Sequence, residues 1–430
     1  MVKQRSLFGV ISAVAFLTLG LVGCTGGVPG GASTPTSDAE ANSIRYLVEQ
    51  PEDPATLELL KAHIKTYEEQ NPGATVAVEA MPSENMRTVL QTQLRSGEGP
   101  DVFSWGSGPG YAGALAEAGL LFDLTSAYEQ NQWPVYEFAK ERVTFDGKIV
   151  GVPGEMETIG LFYNKEMFAE MGLQQPTNLA ELEAVAQKVK DAGMTPLAVA
   201  DQEGWPGGHL LSMALGSRIG SDGVDALING QTSWNSPDVV ASLQLWKDWN
   251  EAGYLGKSPT SLTTDNAAAL FYSGDAAVLP TGSWAIPSIV KNAKFEAGFM
   301  PFPAPDGPGV FTGGLGSGPF VSASSRKTDA AVKFLNFLVS PEHGRWTVEE
   351  METIPAYPVD TAGVDASPLF AQVLKDTSTF SEGTGDFGPN IDVLATDRFN
   401  DVMWDGMQAI LSDQQTPQEV AEALDEAAKK

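Results

Sequence analysis

Asp101-Val102-Phe103-Ser104-Trp105, running into Gly106-Ser107-Gly108-Pro109-Gly110, is the third of three short apolar runs near the start of this chain. The other two are residues 44–48 and 75–79. Between them, residues 55–70 carry a helical pattern that ends before Asn71-Pro72-Gly73. Residues 83–96 carry a second one, with Ser83 in an N-cap position. The order strand, helix, strand, helix, strand predicts an α/β lobe with a mostly parallel sheet. In such sheets ligands bind beyond the carboxyl ends of the strands. Trp105 stands at one of those ends, just before a glycine-rich loop.

A second series follows. Residues 161–163, 196–200 and 276–280 read as strands, the last running into Thr281-Gly282-Ser283-Trp284. Residues 178–192 read as a helix with Leu179, Leu182, Val185, Ala186 and Val189 on one face. Residues 237–251 read as another. Strand-like pieces return at 297–299 and 319–322. Helices are expected at 329–338, 341–350, 396–412 and 417–429. No fixed-period repeat is present.

Composition narrows the function. The 430 residues hold 26 basic and 55 acidic side chains, a formal net charge of −29. Such a surface repels a phosphate backbone and argues against nucleic acid as a partner. With 42% hydrophobic residues, large cores are available. The three histidines, His63, His209 and His343, are far apart in sequence, and no Cys or His pair has zinc-site spacing. Neither a metal nor a cofactor is expected.

The N-terminus reads as an export signal. Lys3 and Arg5 precede an uncharged apolar stretch from Leu7 to Val22, shorter than the roughly 20 residues that span a bilayer. It ends in Leu21-Val22-Gly23-Cys24, and Cys24 is the single cysteine of the chain. Leu-Val-Gly-Cys resembles the lipobox of bacterial lipoproteins. The resemblance implies a signal peptide over 1–23, a lipid on the Cys24 thiol and a mature chain that starts there. Residues 24–43, rich in Gly, Pro, Ser and Thr, would form a flexible tether. The folded part is expected to begin near Ile44.

Four segments, read in order, resemble the extracellular solute-binding proteins of ABC importers, in particular the carbohydrate-binding group that includes the maltose-binding proteins. They are Gln93-Leu94-Arg95-Ser96-Gly97-Glu98-Gly99-Pro100-Asp101-Val102; Gly160-Leu161-Phe162-Tyr163-Asn164-Lys165-Glu166-Met167-Phe168; Phe271-Tyr272-Ser273-Gly274-Asp275-Ala276-Ala277-Val278 with Gly282-Ser283-Trp284; and Thr416-Pro417-Gln418-Glu419-Val420. Their order and spacing, behind a lipobox, carry the resemblance over nearly the whole mature chain. It implies a two-lobed periplasmic-binding-protein-like α/β fold of type II, with a hinge crossed by three segments. Lobe one would be 44–154 plus 312–357, and lobe two 155–311 plus 358–430. Ligand would bind between the lobes, which close by hinge motion.

A sugar ring offers an apolar C–H face to an aromatic ring and a polar rim to carboxylates and amides. The chain has nine tryptophans. Trp105 and Trp284 match positions that stack on sugar in the family. Trp404 lies in a helical stretch, where a core role is the default, yet the closing-helix match places it on a third such position. Trp205, in Glu203-Gly204-Trp205-Pro206-Gly207-Gly208, reads as a loop aromatic of the same cleft, with His209 beside it. Glu157, counted back from Tyr163-Asn164-Lys165, falls on a hydroxyl-binding carboxylate, and Glu203 is a second acidic candidate. Gly313 and Gly314, in the return to lobe one, would let backbone approach a ligand or make a hinge bend. Trp133, Trp234, Trp246, Trp249 and Trp346 are assigned to the core or to surface helices. The chain departs from the maltose-binding pattern at Gly108 and Pro109, where an acidic and a basic residue would stand.

The resemblance thus implies a monomeric, non-enzymatic receptor. It would be lipid-anchored on the outer face of the cytoplasmic membrane, bind a di- or oligosaccharide and deliver it to the transmembrane subunits of a permease. A receptor for a non-sugar solute is the alternative. A secreted glycoside hydrolase would also need a cleft with two carboxylates, and no such pair stands out in the strand-end loops.

Overall fold

Alternation along Ser43–Glu49 (β1) sends Ile44, Tyr46 and Val48 into one core and Leu47 into another, so this strand is covered on both faces. The computed structural model describes residues 41–51, 54–381 and 387–429. The expected signal peptide, Cys24 and nearly all of the tether lie outside the described residues.

Pro54–Gln70 (α1) covers one face of β1 through Ile64 and Tyr67. Thr75–Met81 (β2) follows. Ser83–Ser96 (α2) covers the other face through Met86, Leu90 and Leu94. Val102–Gly106 (β3) then pairs parallel with β1, as β2 does on its other edge. The helices thus fall on opposite sides of a mostly parallel sheet.

A second sheet is built around Met156–Asn164 (β4), whose nine residues are nearly all buried. Leu179–Asp191 (α3) packs on it with Leu182, Val185, Ala186 and Val189 inward, one helical face at i, i+3, i+4 and i+7. The Asn178 side chain accepts from Glu181 N at 2.9 Å and caps its start. Thr195–Leu197 (β5) leads to Trp205–Ile228 (α4), a 24-residue helix kinked at Gly220. Pro237–Glu251 (α5), Thr264–Ser273 (α6), Ala276–Gly282 (β6) and Ala297–Met300 (β7) follow. Trp234, Trp246 and Trp249 fill the core beneath α4 and α5. Of the other two tryptophans assigned to the core or to surface helices, Trp133 is also buried, while Trp346 is half-exposed and stacks on His63 at 3.9 Å.

Phe311–Leu315 (β8) pairs with β4 in the second sheet, and Ser317–Val321 (β9) pairs antiparallel with β3 in the first. The chain therefore changes sheets at Gly316; the sequence reading, which placed the change at 312, put it inside β8. After Thr328–Leu338 (α7) and Pro341–Glu350 (α8), the backbone of Ile354 meets Met156, with Met156 N donating to Ile354 O at 2.7 Å. Pro368–Ser381 (α9), Phe387–Pro389 (β10), Ile391–Leu394 (α10), Asp397–Leu411 (α11) and Pro417–Ala427 (α12) complete the second lobe. The strand orders are β9-β3-β1-β2 and β10-β8-β4-β6-β5, with β7 also on β4. In α12, Thr416 and Glu419 form a reciprocal capping box.

Histidines remote in sequence come together in lobe one. His63 Nε2 lies 3.0 Å from His343 Nδ1, across 280 positions. Among the described residues, no three of His, Cys, Asp and Glu are placed to hold a metal ion.

Candidate functional site

The register of β4 and β8 sets Glu157 opposite Gly314 and Thr158 opposite Gly313. Gly313 O accepts from Asn390 N at 2.8 Å. The Asn390 amide nitrogen in turn lies 3.3 Å from His209 Nε2, and Asn390 Oδ1 accepts from Ser212 Oγ at 3.3 Å. The strand, the glycine return and the first turns of α4 are thereby pinned to one another.

Three rings form a wall above this floor. Trp205 is the first residue of α4 and His209 sits one turn on, with ring centroids 5.0 Å apart. Trp284, just past the end of β6, meets Trp205 at 6.2 Å and His209 at 5.6 Å. Trp205 and Trp284 keep part of their surface accessible. Behind them lies a small cavity lined by Ala198, Ala200, Ala267, Ala268 and Leu279. The sequence reading put Trp205 in a loop; it opens a long helix instead. The glycines around it mark close packing, because a Cβ on Gly208 would stand 2.8 Å from Trp404 Nε1.

Trp404, on α11, is 7% exposed and joins the wall to lobe one. The Arg87 guanidinium from α2 lies over its ring, 4.1 Å from the centroid, and also over Tyr111 at 5.2 Å. Tyr111 is edge-on to Trp105 at 6.1 Å. The indole nitrogens of Trp105 and Trp404 are buried without a hydrogen-bond partner.

The lobes also touch through backbone. Gly108 has φ of 98°, and a Cβ there would stand 1.9 Å from the carbonyl oxygen of Val393 in α10. A charged side chain at this position, as in the maltose-binding pattern, has no room in this arrangement of the lobes.

Electrostatically the cleft is acidic. Burial and the charge of Glu49 push the Glu155 carboxyl up to about 7. Burial, then Glu155, Asp392 and Glu49, hold Glu157 well above the usual carboxylate range. Glu49 is raised by burial, against the pull of the Ser317 hydroxyl and Arg87.

Shared neighbours thus bring together Trp105, Glu157, Trp205, Trp284, Gly313, Gly314 and Trp404. Glu203 accepts from Thr264 N at 3.1 Å through Oε1, which braces the start of α6, while its Oε2 is buried with no hydrogen-bond partner. Sequence reasoning missed Glu49, Arg87, Tyr111, Glu155 and Asp392. Glu49 ends β1 as Trp105 ends β3, so the strand-end rule that singled out Trp105 applies to it equally.

Residues 51–345 match the family model described as bacterial extracellular solute-binding protein. A multiple sugar-binding protein of Streptococcus mutans is 26% identical over 378 residues, covering 84% of this chain and 83% of its own. A maltodextrin-binding protein of Bacillus subtilis is 24% identical, covering 96% and 93%. A solved chitin oligosaccharide binding protein superposes with a TM-score of 0.79 at 25% identity, covering 90% of this chain and 98% of that one.

Proposed function

Because this chain belongs to the bacterial extracellular solute-binding proteins, we propose that it is the receptor of an ABC importer and binds a carbohydrate, a di- or oligosaccharide, between its lobes. The observation that carries this reading is the joining of Trp205, Trp284 and Trp404 to the carboxylates Glu155 and Glu157 in one cleft. Flat rings cover sugar faces and carboxylates accept from hydroxyls. Each aromatic buried against ligand supplies about 1.5–3 kcal/mol. Three of them, set against ordering and hinge costs, are compatible with micromolar affinity, about −8 kcal/mol. An anionic ligand is disfavoured, because it would meet carboxylates of its own sign.

The receptor acts outside the cytoplasm. Among the described residues no helix is long and apolar enough to cross a membrane. The lipid on Cys24 and the tether would keep a monomeric receptor close to its permease, where effective concentration is high.

The test is titration of the signal-less protein with a sugar panel, followed by tryptophan fluorescence and melting temperature. Saturable quenching and a rise in melting temperature are expected with at least one oligosaccharide. No response to any carbohydrate would sink the sugar assignment. Steady release of reducing ends would convert the receptor reading into a hydrolase.

A further inference from the structure

Four carboxylates from three separate elements converge in the cleft. Glu155 Oε1 and Glu157 Oε1 lie 3.0 and 2.3 Å from the point where a Cβ on Gly316 would stand. Glu49, at the end of β1, accepts from the hydroxyl of the next residue, Ser317, at 2.8 Å. Asp392, on α10, is 2% exposed. One of its oxygens lies 3.3 Å from His209 Nε2, and the other, Oδ1, is buried with no hydrogen-bond partner. The cation that faces this group is Arg87, parked over the Trp404 ring.

Neutral hydroxyls need acceptors, but they bring no countercharge to this group, in which burial and mutual repulsion already hold protons on Glu155 and Glu157. The arrangement is not that of a metal site, since no three of these carboxylates are placed to coordinate one ion. An ammonium group is larger, donates three hydrogen bonds and is also drawn to aromatic faces. Trp404 already holds a guanidinium on its face, so the aromatic wall is suited to a positive group. Resting on the carbohydrate reading above, we propose that the ligand carries a protonated amine: it is an amino sugar whose ammonium sits among Glu49, Glu155, Glu157 and Asp392.

Proton linkage follows. The groups facing this position are Tyr46 and Glu49 from β1, Arg87 from α2, Tyr111 from the turn after β3, Glu155 and Glu157 at the start of β4, His209 from α4 and Asp392 from α10. A cation entering among carboxylates that hold protons expels some of them. Affinity for an amino sugar therefore rises from pH 5.5 toward 7, through the range in which Glu155 loses its proton. It falls again as the amine itself deprotonates.

The test is calorimetry on the signal-less protein with four probes: glucosamine oligosaccharides, their N-acetylated counterparts, cello-oligosaccharides of equal length, and spermidine. Runs at pH 5.5 and 7 in buffers of different ionisation enthalpy count the protons released. The proposal expects the glucosamine oligomers to bind at least tenfold tighter than either neutral series, with net proton release. Glu157→Gln and Asp392→Asn should each reduce that preference at least tenfold; if one fails to fold by circular dichroism, the other decides. Equal or tighter binding of a neutral series overturns the amine proposal and leaves the carbohydrate reading standing. Spermidine binding with no sugar binding overturns the carbohydrate reading instead. Silence from all four probes overturns the amine proposal, and the wider sugar panel then decides the carbohydrate reading separately.

Discussion

The guanidinium of Arg87 lies over the indole of Trp404 across the cleft, with 4.1 Å between the guanidinium carbon and the ring centroid. One is carried by lobe one and the other by lobe two. A cation–π contact of this kind contributes about 0.5–2 kcal/mol. It therefore favours the arrangement in which the lobes meet at this contact by roughly 2- to 30-fold. Arg87→Ala should leave secondary structure intact and enlarge the ligand-free protein in small-angle scattering. An unchanged radius of gyration would mean that the contact does not hold the lobes.

Trp284→Ala should weaken sugar binding at least tenfold, about 1.4 kcal/mol. The ring is half-buried against Trp205 and His209, so some stability will also be lost. Titration and thermal unfolding of the same sample separate the two effects. Unchanged affinity with lowered stability would assign Trp284 to packing alone.

Gly108→Ala places a methyl group where only 1.9 Å separates it from the Val393 carbonyl oxygen, at a φ of 98°. Closure should be blocked more than folding. Affinity is expected to drop at least tenfold, and ligand should no longer compact the protein in scattering. Full compaction with ligand would show that α10 yields easily.

Stability should respond to pH through Glu155. Its folded-state value of about 7 lies above the ordinary 4.5, so the folded protein holds this proton where the unfolded chain has lost it. That contribution is full below pH 4.5 and is lost as pH rises to 7. Melting temperature should therefore fall across that interval, and Glu155→Gln should flatten the slope. Parallel curves for the two proteins would exclude Glu155 as the source.

Cys24 lies outside the described residues, and its role is tested in cells. Cys24→Ser should abolish membrane retention and leave the melting temperature of the soluble part unchanged. Retention of the variant in the membrane fraction would argue against the lipid anchor.

Periodicity exposed much of the fold. Residues 44–48, 75–79 and 101–105 lie within or one residue beyond β1, β2 and β3, because each run is short, apolar and bounded by turn residues. The helix predicted over 178–192 matches α3 because its buried face repeats regularly. Helix α4 escaped because it has no polar face to reveal a period: every residue from Pro206 to Ser217 is buried. Its Gly207-Gly208 and Gly220 also read as loop. In the site, aromatic residues beside glycines were visible. Arg87 was not, because a cation on an amphipathic helix reads as solvated until a facing ring is known. Glu155 and Asp392 escaped for a related reason. A chain with 55 acidic residues gives no local sign of which ones a fold will crowd together.

The antiparallel pairing of β9 with β3 carries a consequence for the order of assembly. Val321 lies beside Val102, and Ser317 beside Gly106. The edge strand that completes the first sheet thus leaves the ribosome roughly 200 residues after its neighbour, about 10–40 s later at ordinary synthesis rates. Until then β3 has an open edge and the first lobe cannot finish folding. That delay suits a polypeptide bound for secretion, since a chain that locks its leading lobe only near the end of synthesis stays threadable while it is being exported.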